Sequence, residues 1–212
     1  RAKAIADWLI ARRRTSLAEF PADDPRHGLI AGLDEGDTFS HVRFHQGPYP
    51  PQYWYSHIAE AYRAFIELGQ VWAAVGKAAG RADVVAHAAE LLSLAPEMYD
   101  DLHASLRRTA DTTASPGHTC YPDNAGVFGG NPSYGGGCSF RTYPELFFSA
   151  ALTAEQTDSM YVSGQGNTTC AVGRWLTDGS PSSGSHLIFT HVPQGLPFGL
   201  LVHDMVERFL LY

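Results

Sequence analysis

One long amphipathic segment limits most strongly what this 212-residue chain can fold into. Between residues 55 and 75, apolar side chains recur at three- and four-residue spacing, which is typical of a helix with one buried face. The apolar positions are Tyr55, Ile58, Tyr62, Phe65, Gly69, Trp72 and Val75. Because such a helix must pack against other elements to bury its stripe, the segment predicts a mainly α-helical protein.

Other segments carry shorter helical patterns. A first helix, with Ile5, Trp8 and Leu9 as its apolar stripe, is predicted to end near Arg14. A third helix is predicted over residues 84–92, and Pro96 predicts the start of a fourth, because proline in a first helical turn loses no hydrogen bond. The last two predicted helices begin at Pro144 and Pro197. The short links around Gly80 and Pro96 predict helices that fold back as antiparallel hairpins.

Long segments without a helical pattern separate the later helices. Residues 110–141 are rich in Gly, Pro, Asn and Asp, and a second irregular segment with a short strand at 186–191 follows the fifth helix. Loops of this length within compact domains are usually functional or disordered. Interleaved aromatic residues predict that the first one is ordered. These residues are Tyr121, Phe128, Tyr134 and Phe140.

The charge and hydropathy of the chain exclude two classes of partner. A formal net charge of −7 disfavours nucleic acid, because binding to phosphates needs a basic surface. No apolar run reaches the roughly 18 residues that cross a bilayer. The best candidate, residues 198–212, is interrupted by charged side chains. We therefore expect neither a nucleic-acid partner nor a membrane span.

The cysteines and one sequon favour a secreted protein. Cys120 and Cys138 bracket the glycine-rich loop, where a disulfide would stiffen a segment with little core of its own. Asn167 begins an Asn-Thr-Thr glycosylation sequon. In an intracellular helical scaffold, by contrast, the cysteines would be small buried thiols. Because the sequence starts at Arg1 and stops within helical patterns, we interpret residues 1–212 as a single partial domain of a longer chain.

Two segments resemble a known superfamily. Residues 28–37 form an acidic loop flanked by glycines, and residues 53–57 form an aromatic sequence that leads into the longest helix. Together with helical hairpins and long loops, they resemble the six-hairpin, (α/α)6-toroid superfamily of glycosidases and polysaccharide lyases. The six predicted helices would make about half of such a toroid. The resemblance implies an extracellular enzyme that acts on carbohydrate, with a hydrolase preferred over a lyase.

Crowded carboxyl groups are the candidate catalytic residues. Asp34, Glu35 and Asp37 fall within four positions of one turn, and such crowding raises the pKa of at least one of them. Glycoside hydrolysis needs two carboxyl groups placed apart, so Asp37 or Glu35 would be the general acid. The second carboxyl group would come from Glu145, or else from Asp123. The alternative is that the turn is solvated or caps a helix.

Aromatic and polar side chains near the longest helix are the candidate sugar-binding residues. Trp54 and Tyr55 offer ring faces on which sugars stack, although helical geometry turns part of this aromatic cluster towards the core. His57 and Arg43 would add polar contacts, as would Tyr134 from the glycine-rich loop. The alternative for His57 is a hydrogen-bonded structural imidazole.

Other functions stay open at this point. A lyase would abstract a proton beside a uronate, for which Tyr134, His118 and Arg141 lie in one loop. A catalytically silent toroid would instead be a structural or glycan-binding part of a larger surface assembly with partner chains. His41 and His45 have a spacing that chelates metals, but two ligands are too few. We therefore expect no metal and no cofactor.

Overall fold

The computed structural model describes residues 1–32, 52–115, 118–122, 124–125, 142–166 and 195–211. This part of the chain is mainly α-helical, as predicted, with seven helices and one β-hairpin. In chain order the elements are α1 (Ala2–Glu19), α2 (Tyr55–Ala78), α3 (Ala82–Thr109), β1 (Asp111–Ser115), β2 (His118–Cys120), α4 (Thr142–Ser149), α5 (Ala154–Gly166), α6 (Gly195–Val202) and α7 (Val206–Leu211).

Helices α2 and α3 form a long antiparallel hairpin, which confirms the prediction made from the link at Gly80. Gly80 has a φ of 65°, a conformation that glycine adopts without steric cost. Gly76 packs against Val85 beside this link. At the far end of the hairpin, the Tyr55 hydroxyl contacts α3. The two helices bury most of their apolar stripes against each other and the neighbouring elements. The fully buried side chains include Ile58, Phe65, Leu91, Met98, Leu102 and Leu106.

Pro96 does not open a new helix, and the predicted hairpin at this position is wrong. Instead, Pro96 lies within the 28-residue helix α3. A proline inside a helix costs about 3 kcal/mol, because it removes a hydrogen bond and crowds the preceding turn. Ala95 and Met98 on either side are buried in the core. Since each large apolar side chain contributes about 1.5–3 kcal/mol when buried, packing along α3 outweighs that cost.

Three other elements depart from the predictions. Helix α1 continues past Arg14 to Glu19. Helix α5 and the β1–β2 hairpin occupy segments that were predicted to be irregular. They stabilise each other, because Ser159 of α5 accepts a hydrogen bond from the Thr119 N–H at 2.9 Å and donates one to the Thr119 carbonyl at 3.1 Å. Their structure therefore depends on tertiary contacts that no local pattern reveals. The strand predicted at 186–191 lies outside the described residues.

A buried ion pair joins α1 to α3. The side chain of Arg13 is only 8% exposed and donates to Asp101 from Nη2 at 2.6 Å and from Nε at 2.8 Å. Its Nη1 also lies 3.0 Å from Glu97. Gly28, with a φ of 77°, packs so closely on the Asp101 carboxyl that a Cβ atom there would overlap it. Residues far apart in the sequence thus hold α1 in place.

Helices α4 and α6 extend the core on the other side of α2. Leu146 and Phe147 of α4 are buried with Leu196 and Leu200 of α6. The backbone of Gly199 approaches Phe147 so closely that a Cβ atom would lie 2.7 Å from its ring. The two helices therefore pack face to face. Within the described ranges, no helix combines the length and the apolar character that crossing a bilayer requires.

Candidate functional site

A pocket of about 390 Å³ opens between α1 and α2. This volume lies towards the lower end of the range of roughly 300–1,000 Å³ that is typical of small-molecule sites. Its walls come from α1, from the segment that follows Gly28, and from the first turns of α2. The lining residues are Trp8, Leu9, Ile30, Ala31, Gly32, His57, Glu60, Ala61 and Ala64. The pocket is thus mostly apolar, with two ionisable side chains.

Gly32 holds His57 at the pocket wall. The backbone of Gly32 exchanges two hydrogen bonds of 2.9 Å with Gln52, which positions the strand-like segment beside the start of α2. A Cβ atom at Gly32 would lie 2.6 Å from Cε1 of His57, so the imidazole packs directly on the glycine backbone. No larger residue leaves room for the ring in this position. His57 is half-buried there and lines the pocket, and its role as a binding residue stays a prediction.

Glu60 lies one helical turn after His57 and has the most displaced carboxyl pKa in the described part of the chain. Burial raises the pKa of Glu60 to about 7, and repulsion from the Glu145 carboxylate contributes to the rise. The residue as a whole keeps exposed surface, so its carboxyl group is only partly withdrawn from water. With a pKa near 7, Glu60 is about half protonated at neutral pH.

The packing of α4 on α2 brings Glu145 towards Glu60. Glu145 lies in the first turn of α4. One turn further along each helix, the Arg63 guanidinium lies 4.3 Å from the ring centroid of Phe148 and donates to its carbonyl oxygen. The contact between Arg63 and Phe148 therefore helps to hold α4 against α2. Glu145 was the predicted second carboxyl group, and its negative charge contributes to the raised pKa of Glu60.

Tyr55, expected to be a sugar platform, is instead a core residue. Its side chain is 0% exposed, and its hydroxyl lies 3.0 Å from the Ser105 hydroxyl and 2.7 Å from that of Thr109. The physical reason is helical periodicity, since Tyr55 lies on the same face of α2 as the fully buried Ile58. No ring face of Tyr55 is left for a ligand, so it is corrected to a structural role.

Trp54 lies just before α2 and is half-buried. Its backbone forms a bridge with Asn124, which holds this segment against the chain that follows β2. The indole N–H is buried and makes no hydrogen bond within the described part of the structure. Trp54 is not among the residues that line the pocket. A platform role for Trp54 stays a prediction.

Several predicted site residues lie outside the described residues. They are Asp34, Glu35, Asp37, His41, Arg43, His45, Asp123, Tyr134, Cys138, Arg141 and Asn167. Cys120 and His118 belong to β2 by their backbones, and their side chains are not described. Among the side chains that are described, no three His, Cys, Asp or Glu residues are placed to hold a metal ion.

Two residues of the pocket were missed or misassigned by the sequence analysis. Trp8 was assigned to the buried stripe of α1, but it is 52% exposed, and Ala6 and Ile10 are buried instead. Glu60 was not among the predicted site residues. Glu60 lies three residues after His57 and is flanked by the small residues Ala59 and Ala61. This spacing was the one signal in the sequence that the side chains of His57 and Glu60 share a surface of the helix.

Comparison with known proteins finds no matching family model, no matching curated protein and no matching solved structure. The function is therefore inferred from the pocket, from Glu60 in its wall, and from the Glu145 carboxylate that repels the ionised form of Glu60.

Proposed function

We propose that this chain is part of an extracellular carbohydrate-active enzyme, a glycoside hydrolase that acts on a polysaccharide or glycan. Glu60 is the general acid and Glu145 is the second carboxyl group. The observation that carries the proposal is the elevated pKa of Glu60 beside Glu145, at the edge of a pocket that fits a small ligand. Environments that separate the pKa values of two carboxyl groups are how glycosidases assign the roles of acid and base.

The reaction needs a proton donor that is still protonated near neutral pH. A glutamate with its ordinary pKa of 4.5 would be almost entirely ionised, whereas Glu60 retains its proton up to about pH 7. Glu60 would protonate the glycosidic oxygen as the bond from that oxygen to the sugar carbon breaks. Glu145 would either attack the sugar carbon or take a proton from the attacking water. Both routes consume one water, and neither requires a cofactor.

The proposed architecture is the incomplete (α/α)6 toroid. The α2–α3 hairpin supports it, because antiparallel hairpins of this kind are the repeating unit of such a toroid. The accompanying proposals are a single partial domain over residues 1–212, a disulfide between Cys120 and Cys138, and a glycan on Asn167. Asp37 and Glu35 stay as the alternative general acids from the acidic loop.

The test is turnover of the 212-residue chain on a panel of neutral and uronic-acid polysaccharides, measured as the release of reducing sugars. We expect activity on at least one substrate, with a rate that falls as the pH rises through about 7, because Glu60 then loses its proton. Glu60→Gln and Glu145→Gln should each lower the rate by at least about a hundredfold without loss of helical circular dichroism. Glu207→Gln, an exposed position on α7, is the control and should keep full activity.

Each other outcome identifies a different function. If Asp37→Asn abolishes turnover while Glu60→Gln does not, the acidic loop supplies the general acid. Products that carry an unsaturated uronate would identify a polysaccharide lyase. If the chain binds a glycan but cleaves nothing, it is a catalytically silent, glycan-binding or structural domain of a surface assembly.

A further inference from the structure

We propose that the pocket between α1 and α2 binds one neutral sugar ring, with Trp8 as its stacking platform and with His57 and Glu60 as its hydrogen-bonding groups. The inference rests on the proposed function and deepens it, because it names the class of sugar. It also assigns a binding role to α1, a helix that carried no predicted site residue.

The exposure of Trp8 is the first observation. Tryptophan buries more apolar surface than any other side chain, yet the Trp8 side chain is 52% exposed and forms part of a pocket wall. The Arg12 guanidinium lies 5.6 Å from the centre of its ring, one turn further along α1, and helps to fix the indole orientation. The exposed surface of the indole suits the apolar C–H face of a sugar ring.

The polar groups of the pocket determine the charge that a ligand can carry. His57 and Glu60 both come from one side of α2 and can exchange hydrogen bonds with hydroxyl groups. No Lys, Arg or Asp is among the described lining residues. A uronate, phosphate or sulfate would bring a negative charge beside the Glu60 carboxyl group, where burial and the Glu145 carboxylate already disfavour negative charge. A neutral sugar avoids this repulsion.

The size of the pocket limits the ligand to a small unit. Small residues form much of its wall, namely Ala31, Gly32, Ala61 and Ala64. Ala64 is exposed on α2, so a larger side chain there would fill the pocket without disturbing the core. This position therefore gives a second variant that tests the pocket independently of Trp8.

The experiment is saturation-transfer NMR, followed by titration calorimetry, with four probes. These are the methyl glycosides of glucose, mannose, galactose and glucuronic acid. We expect at least one neutral glycoside to bind and the glucuronide to bind at least about tenfold more weakly. Trp8→Ala should weaken binding about tenfold, which corresponds to the loss of one aromatic stacking contact, and Trp8→Phe should lose less. Ala64→Leu should also weaken binding. Ile5→Ala is the control, since Ile5 is 60% exposed on the same helix but does not line the pocket.

Three results would overturn the inference: no binding of any neutral glycoside, equal or tighter binding of the glucuronide, or unchanged binding in both Trp8→Ala and Ala64→Leu. Failure of this proposal and failure of the proposed function can be told apart. If the glycoside binds through Trp8 but no polysaccharide is cleaved, the sugar site stands and the hydrolase does not. If polysaccharide is cleaved at a rate that depends on Glu60 while Trp8→Ala changes nothing, the hydrolase stands and the Trp8 subsite does not.

Discussion

At the scale of single residues, Glu60 shows how position on a helix determines acidity. Other glutamates of the described helices, such as Glu67, lie at the surface, and Glu67 pairs with Arg63 at 2.7 Å. Glu60 also keeps exposed surface, but partial burial of its carboxyl group and repulsion from Glu145 raise its pKa. Both effects disfavour the ionised form, and together they keep a proton on a carboxyl group near neutral pH.

The raised pKa of Glu60 predicts a pH-dependent cost in stability. The folded chain binds this proton up to about pH 7, whereas the unfolded chain releases it near pH 4.5, so the free energy of unfolding falls as the pH rises through this window. We expect Glu60→Gln to be more stable than the wild type at pH 8 and equally stable at pH 4. Because Glu60 is partly exposed and screened by water, the gain at pH 8 should be roughly 1 kcal/mol, or about 2–4 °C in Tm.

The measurement is thermal unfolding of both proteins between pH 4 and pH 8, with Glu67→Gln as the control. Glu145→Gln should reduce the pH dependence without removing it, because it removes the repulsion but leaves the effect of burial. If the difference in Tm between wild type and Glu60→Gln does not change with pH, the pKa of Glu60 is not raised.

At the scale of elements, the placement of α1 depends on polar contacts as much as on apolar ones. Arg13 is buried and reaches across to Asp101 and Glu97 of α3. The adjacent Arg14 is 69% exposed, and its guanidinium lies 3.7 Å from the carboxylate of Glu90, which also belongs to α3. The two neighbouring arginines therefore make the same kind of interaction in different surroundings. Since α1 carries Trp8 and Leu9, the ion pair at Arg13 also holds one wall of the pocket.

This contrast predicts different effects for two otherwise identical substitutions. We expect Arg13→Met to lower the free energy of unfolding by about 3 kcal/mol, because it leaves the mostly buried Asp101 carboxylate without its partner. Arg14→Met should cost less than about 1 kcal/mol, as is usual for exposed ion pairs. Urea denaturation followed by circular dichroism measures both values. If the two substitutions lower the free energy of unfolding equally, burial does not make the Arg13 ion pair more important for stability than the exposed Arg14 pair.

At the scale of the whole molecule, one continuous core unites the described helices. Buried side chains from α1 through α6 belong to a single cluster, and the α2–α3 hairpin contributes its largest part. Helix α7 is less deeply buried than the hairpin, because its Leu210 is 75% exposed. Local stability should therefore decrease from the hairpin towards α7.

Hydrogen exchange followed by mass spectrometry tests this gradient. We expect peptides around Phe65 in α2 and Met98 in α3 to exchange slowest, and those of α7 to exchange fastest, because exchange in a packed core requires extensive unfolding. The same peptides measured in denaturant provide the reference rates. Protection of α7 equal to that of α3 would contradict the gradient and would mean that another surface covers α7.

Local sequence patterns were sufficient to predict the helical class of the protein and the α2–α3 hairpin. Both depend on local information, namely the 3.6-residue apolar period and the turn at Gly80. The roles of Glu145 as a second carboxyl group and of His57 as a binding residue stay predictions from residue type and position.

Which side chains share a surface depends on how the helices pack, and local sequence patterns do not reveal this. Tyr55 is buried and Trp8 is exposed, because each helix turns to bury the face that its neighbours cover. Those neighbours are not visible in a local pattern. Pro96 remains within α3 for the same reason, since burial on both sides outweighs its local cost. The proximity of Glu60 to Glu145, 85 positions later in the sequence, arises from the packing of α4 on α2. Periodicity determines what each helix can bury, but packing between helices determines which groups meet and therefore their chemistry.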